Sequence, residues 1–300
     1  MLNLEKIKQE KPIEELVSFS IVLIDKPSDW TSFDVVNKVR GIFSSFGIKK
    51  AGHFGTLDPN VTGLLPICLG DACKVQEYFM HKNKTYIGKM KIHKQIKREE
   101  LEQEMKKFLG KINQLPPVKS SVKRVVRERE IIEFKLTNFD EKKQEAEFLS
   151  KVEAGTYIRK LIHDLGESLG IGAQMTELRR IEAGIFNENN KEYTTIENLS
   201  KLVAEKNEKE LKKYLIPAEV ILSFMNGFEV SEEVVTKLKN GSPLFRTMLI
   251  NEKDAKTIEN LEQPFGVISK NKIIEIAKST KQFKNPDILA KPEVLIVKQN

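Results

Sequence analysis

The chain is organised around the stretch from Lys49 to Lys74, which reads KKAGHFGTLDPNVTGLLPICLGDACK. Its first half contains glycines, a proline and an asparagine, a composition typical of an irregular loop, and Asp58 lies in the middle of that loop. A run of apolar residues follows and predicts a short buried strand: Leu64, Leu65, Ile67 and Leu69. A carboxylate on a loop braced by a rigid element is a common position for a reactive group. An Asp before Pro also commonly makes an ordinary turn, so the loop alone leaves both interpretations open.

The composition predicts a folded chain with a basic surface. The 300 residues, 40% of them hydrophobic, suffice for one large domain or for a large and a small one. With 31% charged residues and a net charge of +7, the chain favours a polyanionic partner, most simply a nucleic acid.

The cysteines and histidines predict no metal site. Cys68 and Cys73 do not form a C-x-x-C pair, and the four histidines are scattered. Low cysteine use favours a reducing, intracellular compartment, and we expect a cytoplasmic protein. The charged N-terminus lacks an apolar run of signal-peptide length, and no stretch approaches the ~20 apolar residues of a transmembrane helix.

Hydrophobic periodicity predicts most of the secondary structure. Strands are expected at 19–24, 84–92 and 145–153. Helices are expected from Thr31 or Ser32, at 99–109, from Ile158, in a piece holding Met175, Leu178 and Ile181, and at 194–215. Residues 1–17 are expected to be frayed or loosely docked, and short β-like pieces are expected from about Phe228 onward.

The string G-H-x-G-T-L-D-P, followed by T-G-x-L-P, resembles the signature of the TruB/dyskerin family of pseudouridine synthases. In that family the Asp of the motif is the catalytic nucleophile, so the resemblance assigns that role to Asp58. The same motif makes His53 a candidate for substrate binding. Lys26 is a second candidate, because the family's K-P dipeptide after the first strand lies near the active-site cleft. An exposed surface position is the alternative for Lys26.

Three further motifs follow in the family's order. K-T-Y at 84–86 resembles the second motif and implies that Tyr86 stacks on the target base, although a strand tyrosine is most often a packing residue. G-T-Y-I-R at 155–159 resembles the third and implies that Arg159 pairs with Asp58 while Tyr157 lies near the base. A lone arginine there would otherwise be merely exposed. L-R-R at 178–180 implies that Leu178 packs in the pocket.

Basic residues in two places are candidates for RNA binding. The first group lies in the run after Pro117, and the second belongs to the L-R-R motif: Lys119, Lys123, Arg124 and Arg127, then Arg179 and Arg180. A charge run is usually a solvated face. In the first group branched residues alternate with the charges, so basic side chains directed toward RNA are an equal alternative.

The resemblance implies an α+β fold and a division of the chain. We expect a mixed, mostly antiparallel sheet with flanking helices in a catalytic domain at 18–224. A small all-β, PUA-like RNA-binding barrel is expected at 225–300, and an N-terminal extension at 1–17. The implied activity is isomerisation of specific uridines to pseudouridine in rRNA, and possibly tRNA, without a cofactor.

Three features resemble the archaeal branch, whose members work with an H/ACA guide RNA. They are the short segment between Tyr86 and Gly155, the P-P-x-K-S-x-V-K-R string and the T-I-E-N-L-S segment. The implied partners are a guide RNA, a scaffold protein, a glycine/arginine-type protein and a kink-turn-binding protein. Two alternatives stay open: a stand-alone synthase acting on the TΨC arm of tRNA, and a non-catalytic RNA-binding scaffold.

Overall fold

The computed structural model describes residues 3–116, 123–280 and 285–296. Within these ranges the chain forms a large mixed sheet, a smaller sheet and ten α-helices. The strands of the large sheet are β1 (Ser20–Lys26), β2 (Ala51–His53), β3 (Thr62–Leu69), β4 (Lys84–Ile92), β5 (Gly110–Gln114), β6 (Arg127–Asp140), β7 (Glu145–Val152), β8 (Ala173–Ala183), β9 (Phe186–Asn187), β10 (Tyr193–Thr194) and β11 (Ile216–Pro217).

The large sheet has the order β10-β1-β3-β8-β4-β7-β6-β5, with β2 on β3, β9 on β8 and β11 on β1. Two of its pairs are parallel, β1 with β10 and β3 with β8, and the others are antiparallel. The predicted mixed, mostly antiparallel sheet is therefore confirmed. β1 and β3 are buried on both faces, which explains why their sequences are nearly continuous apolar runs.

The described α-helices accompany both sheets, and the last two of them contact strands of the smaller one. They are α1 (Leu4–Glu10), α2 (Ile13–Ser18), α3 (Ser32–Ile42), α4 (Gln76–Met80), α5 (Arg98–Lys107), α6 (Ile158–Ser168), α7 (Ile196–Ala204), α8 (Glu208–Leu211), α9 (Val235–Lys239) and α10 (Asp254–Glu259). α3 begins as predicted, because Thr31 and Asp34 form a reciprocal capping box. α5 ends at Lys107, so Leu109, expected on its apolar face, lies beyond the helix and is exposed.

The prediction of a helical piece around Met175, Leu178 and Ile181 is wrong, because these residues lie in strand β8. Their spacing of three residues imitates a helical stripe. The period is in fact two, since Leu178 and Arg180 are both buried. β8 pairs with β3 at Gly63. The φ of Gly63 is +96° and the Arg180 backbone lies close to its Cα, so this position requires glycine. A Cβ there would lie 2.4 Å from the Arg180 carbonyl oxygen.

The N-terminal segment is docked from Leu4 onward, so of the two expectations for residues 1–17, frayed or loosely docked, fraying is wrong for the described residues. α1 and α2 bury Ile7, Ile13, Leu16 and Val17. Two buried ion pairs attach the same segment to distant parts of the chain: Lys8 with Glu192 at 3.0 Å and Lys11 with Glu219 at 2.7 Å. These partners are remote in sequence, so local composition gave no sign of them.

The smaller sheet follows in sequence and has the order β12-β14-β15-β16-β13. Its strands are β12 (Gly227–Glu229), β13 (Leu244–Phe245), β14 (Phe265–Ser269), β15 (Lys272–Ser279) and β16 (Ile288–Leu295). The strands expected after Phe228 are present, but α9 and α10 accompany them, so this part is not all-β. Ile273, Ile276 and Ile296 pack into a core cluster that also contains Phe54 of the Asp58 loop.

No helix within the described ranges combines the length and the apolar character needed to cross a bilayer.

Candidate active site

Asp58 lies in the loop between β2 and β3, and the neighbouring backbone holds it in place. The Ser32 hydroxyl donates to the Leu57 carbonyl at 3.1 Å and accepts from the Leu57 N–H at 2.8 Å. The Val61 N–H donates to the Asp58 carbonyl at 3.0 Å. The Asp58 side chain is nevertheless 52% exposed. A fixed backbone therefore presents a carboxylate that a ligand can reach.

Lys26 braces the same loop from inside the protein. Its ammonium donates to the carbonyls of Pro27, Trp30 and Pro59 at 2.8, 2.6 and 2.8 Å, which uses all three of its protons. The residue is completely buried, and this burial lowers the pKa of its ammonium. The surface alternative for Lys26 is therefore wrong. Lys26 acts on the site through Pro59, the residue after Asp58, and its donors are not available to a substrate.

Arg159 forms an ion pair with Asp58 across the mouth of the site. It lies in the first turn of α6, and its Nη2 bonds to Oδ2 of Asp58. The two side chains are 55% and 52% exposed, so the pair faces solvent. The pairing expected from the sequence is present. Charge-assisted hydrogen bonds of this kind orient a carboxylate as well as attract it.

Arg180 lies inside the protein and not on its RNA-binding surface, where it was predicted to lie. Its side chain is only 1% exposed, so the prediction that Arg180 binds RNA is wrong. Its Nε donates to the Leu64 carbonyl at 2.8 Å and its Nη2 to the Gly55 carbonyl at 3.1 Å. Tyr86 on β4 lies opposite Arg180 on β8, and its side chain interacts with this guanidinium. Arg180 thus links the Asp58 loop, β3 and β4 beneath the surface.

We expect Arg180→Lys to destabilise the protein by about 1–3 kcal/mol, because a lysine cannot serve both carbonyls and one buried acceptor loses its donor. The substitution keeps the buried charge, so the loss reports the hydrogen bonds alone. Urea unfolding measures it, with Arg98→Lys on the partly exposed face of α5 as the matched control. A change for Arg180→Lys no larger than that of the control would contradict this role.

The motifs assign four more residues to the substrate pocket: His53, Tyr86, Leu178 and Tyr157. His53 lies at the end of β2, and its Nδ1 accepts from the Gly55 N–H at 3.3 Å. Tyr86 and Leu178 are buried on β4 and β8, where their packing contributes to the main core. Tyr157 caps α6, and its backbone exchanges two hydrogen bonds with the Gln114 side chain at 3.0 and 3.2 Å.

The His53 imidazole should make stability depend on pH. Burial first, and then the charge of Arg180, hold its pKa below the usual value of 6.5. Below that value the unfolded chain binds a proton that the folded chain resists. The contribution is therefore fully present above pH 6.5 and lost as the pH falls toward the folded-state pKa. Unfolding free energies of the wild type and His53→Gln should converge on acidification. A difference that is constant or grows would contradict the assignment.

A cavity of about 810 Å³ opens beside the Asp58 loop. It is lined by the turn after β1, by the residues following Asp58 and by the facing parts of β4, β7 and β8, among them Asp29, Asn60, Gly88, Phe148 and Leu178. This volume lies within the range of small-molecule sites, ~300–1,000 Å³, and is large enough for a nucleotide.

The other basic residues predicted to bind RNA differ from one another in exposure and in their ion pairs. Lys123 and Arg124 are exposed and Arg127, at the start of β6, is half-buried, whereas Lys119 lies outside the described residues. Arg179 is held by two carboxylates, Asp25 at 3.1 Å and Glu188 at 2.9 Å. These pairs compensate the charge that a phosphate contact would need, which argues against an RNA-binding role for Arg179.

Comparison with known protein families gives two matches along the chain. Residues 44–97 match the TruB family pseudouridylate synthase N-terminal domain, and residues 159–223 match the tRNA pseudouridylate synthase B C-terminal domain. The first match contains Asp58 and Tyr86, and the second contains Arg159 and Arg180.

Relatives and solved structures agree with these matches. The chain is 39% identical over 251 residues to a probable tRNA pseudouridine synthase B of Archaeoglobus fulgidus, across 82% of this chain and 75% of the relative. It is 39% identical over 236 residues to the corresponding Nanoarchaeum equitans protein, across 78% of this chain and 66% of that relative.

The fold is similar to the crystal structure of a Cbf5–Nop10–Gar1 complex, with a TM-score of 0.82, 28% identity and coverage of 97% of this chain and 89% of that one. It also resembles an archaeal box H/ACA Nop10–Cbf5 complex, with a TM-score of 0.79, 26% identity and coverage of 97% and 90%. The family motifs occur in their expected order, and the fold brings their residues together at Asp58. The relatives align with the chain along most of their own length. The chain belongs to the TruB family of pseudouridine synthases, which are RNA-modifying isomerases.

Proposed function

We propose that this protein isomerises uridine to pseudouridine in RNA, with Asp58 as the nucleophile. The observation that carries the proposal is the solvent-facing ion pair between Arg159 and Asp58, a residue of the loop whose Asn60 lines the cavity. The reaction breaks the nitrogen–carbon glycosidic bond and re-forms it through a ring carbon. It needs one reactive carboxylate and a base that has left its stack.

The surrounding residues have separate roles in this proposal. Arg159 orients the Asp58 carboxylate through charge-assisted hydrogen bonds. Tyr86 lies against the target base and replaces part of the lost stacking, an interaction of ~1–3 kcal/mol per base. Leu178 and Tyr157 border the base, while Lys26 and Arg180 keep the Asp58 loop and the Tyr86 ring in position without touching the substrate.

We further propose that an H/ACA guide RNA selects the uridine, chiefly in rRNA. Two observations support this. α5, β5, β6 and β7 occupy most of the chain between Tyr86 and Gly155, which leaves little sequence for an RNA clamp. The similar Cbf5 structures, including one of an H/ACA ribonucleoprotein bound to substrate RNA, align with 97% of this chain. The C-terminal sheet region, proposed as PUA-like at 225–300, would hold the guide.

The proposed particle contains small partner proteins. The similar chains are found with Nop10 and Gar1, which correspond to the expected scaffold and glycine/arginine-type proteins. A kink-turn-binding protein on the RNA would complete the particle. Lys123, Arg124 and Arg127 are proposed to contact RNA phosphates, because they lie beside one another in the described chain and carry no carboxylate partner as close as that of Arg179.

A second candidate function is modification of the TΨC arm of tRNA without a guide. It is favoured by the names of the curated relatives, which are probable tRNA pseudouridine synthases. In this case the bare chain would recognise the folded tRNA itself.

One experiment tests the guided reaction against this alternative. The full-length chain is assayed for pseudouridine formation on a guide-complementary RNA and on a tRNA transcript, with and without guide RNA and partner proteins. We expect poor modification by the chain alone and strong stimulation by the complete set. Efficient tRNA modification by the bare chain, with no stimulation of either substrate, would replace the guided proposal by the second one. The full chain is needed because Ile273 and Ile276 pack into the core beside the Asp58 loop, so truncation would expose that core.

A further inference from the structure

Two large aromatic side chains lie on the surface next to the Asp58 loop. Trp30, the single tryptophan of the chain, is 37% exposed, and Phe33 is 69% exposed. Both belong to the segment that leads into α3. An exposed pair of this size is uncommon away from binding surfaces, and the reaction proposed above assigns it no role.

The backbone around these aromatics is bonded to the residues on both sides of Asp58. The Asp29 N–H donates to the Pro59 carbonyl at 3.0 Å, and the Lys26 ammonium bridges the carbonyls of Trp30 and Pro59. On the other side, the Ser32 hydroxyl exchanges two hydrogen bonds with Leu57. The backbone that carries Trp30 and Phe33 is therefore held in a fixed relation to the backbone on both sides of Asp58.

The aromatics continue as a stripe along the outer face of α3. Phe33, Asn37 and Arg40 are spaced by four and three residues, which places them on one helical face, while Val35, Val36 and Val39 are buried on the other. Arg40 is exposed at the far end of the stripe. An exposed aromatic residue near the site is thus followed by a cation about two helical turns further along α3.

The charges close to the aromatics favour a base rather than a phosphate as their neighbour. Asp34 accepts hydrogen bonds from the Thr31 hydroxyl and N–H, which lower the pKa of its carboxyl and keep it ionised. Asp29 lies next to Trp30 in the chain. Two carboxylates repel a phosphodiester, but they leave the faces of the Trp30 and Phe33 rings available for stacking.

We propose that Trp30 and Phe33 form a stacking platform for unpaired bases of the substrate RNA that flank the target uridine, with Arg40 contacting the strand further along. The inference rests on the proposed function, since removal of one base from a stack leaves its neighbours without a partner. RNA is the occupant because the platform is continuous with the site into which the target base enters. Aromatic stacking tolerates every base, so the platform would stabilise binding without reading sequence.

Tryptophan fluorescence tests this directly, because Trp30 is the only tryptophan of the chain. The full-length protein is titrated with a TΨC-arm stem-loop RNA and, separately, with a fully paired duplex. We expect the stem-loop to quench the emission along its binding isotherm and the duplex to leave it nearly unchanged. Trp30→Ala and Phe33→Ala should each weaken stem-loop binding by about 5- to 150-fold, whereas Trp30→Phe should retain most of the affinity. Leu109→Ala, another exposed apolar residue, is the matched control and should bind like the wild type.

Two results would overturn the platform. One is unchanged emission together with wild-type affinity in Trp30→Ala and Phe33→Ala. The other is emission that responds to a Nop10- or Gar1-type protein but not to RNA, which would make this a protein-docking face. Pseudouridine formation is assayed in parallel with the wild-type protein, guide RNA and partner proteins on a guide-complementary RNA. Absence of product in this complete set would count against the proposed function, whereas product there with unchanged emission in the titration would count against the platform alone.

Discussion

Replacing Asp58 by asparagine should reduce pseudouridine formation by roughly 10⁴-fold or more while leaving the protein folded and able to bind RNA. Asparagine has the same shape but is a poor nucleophile. The bonds that hold the loop use backbone atoms of Leu57, Asp58 and Pro59, so they survive the change. Single-turnover tritium release from labelled RNA measures the loss, and filter binding measures the retained affinity.

Asp71→Asn is the matched control for this experiment, because Asp71 is an exposed carboxylate in a local ion pair with Lys74. It should react like the wild type. Turnover of Asp58→Asn within tenfold of the wild type, in a preparation free of other synthases, would exclude Asp58 as the nucleophile.

Arg159→Lys should lower the rate of the chemical step by about 10²–10³-fold, the usual effect of losing a donor that stabilises a reacting charge. A lysine keeps the positive charge but not the planar fork that holds a carboxylate in one orientation. Because Arg159 acts on Asp58, kcat should fall more than KM changes. The pair is more than half exposed, so stability should change little.

Arg98→Lys again serves as the control, since it also removes a guanidinium from a partly exposed ion pair, but on α5 away from the Asp58 loop. A rate for Arg159→Lys within threefold of the wild type would mean that the ion pair does not position Asp58 for the reaction.

The sequence located the site because its residues occur in short, ordered motifs. Asp58, Tyr86 and Arg159 are far apart in the chain, yet each lies on or directly before an element with a clear apolar pattern: the loop before the buried strand β3, the strand β4 and the first turn of α6. The apolar pattern did not predict that Arg159 pairs with Asp58; the resemblance of G-T-Y-I-R to the family's third motif implied this ion pair, which is present.

The errors arose where a charged or polar residue lies inside the protein. Charged residues are rarely buried, so Arg180 was expected on the surface. Because Arg180 is in fact one of the buried residues of β8, the two-residue period of this strand could not be recognised from its apolar residues alone. Lys26 was left undecided for the same reason. The carbonyls that hold Lys26 and Arg180 come from residues distant in sequence, such as Pro59 and Leu64. Only the folded chain brings these donors and acceptors together.

Pseudouridine formation by Asp58 is a mass-neutral conversion of uridine that can be measured as tritium release. The RNA is incubated with the full-length wild-type protein, guide RNA and partner proteins, and in parallel with Asp58→Asn in the same particle. We expect stoichiometric tritium release with the wild type and none above background with the variant. RNA binding without release by either protein would contradict the claim and identify a non-catalytic RNA-binding scaffold.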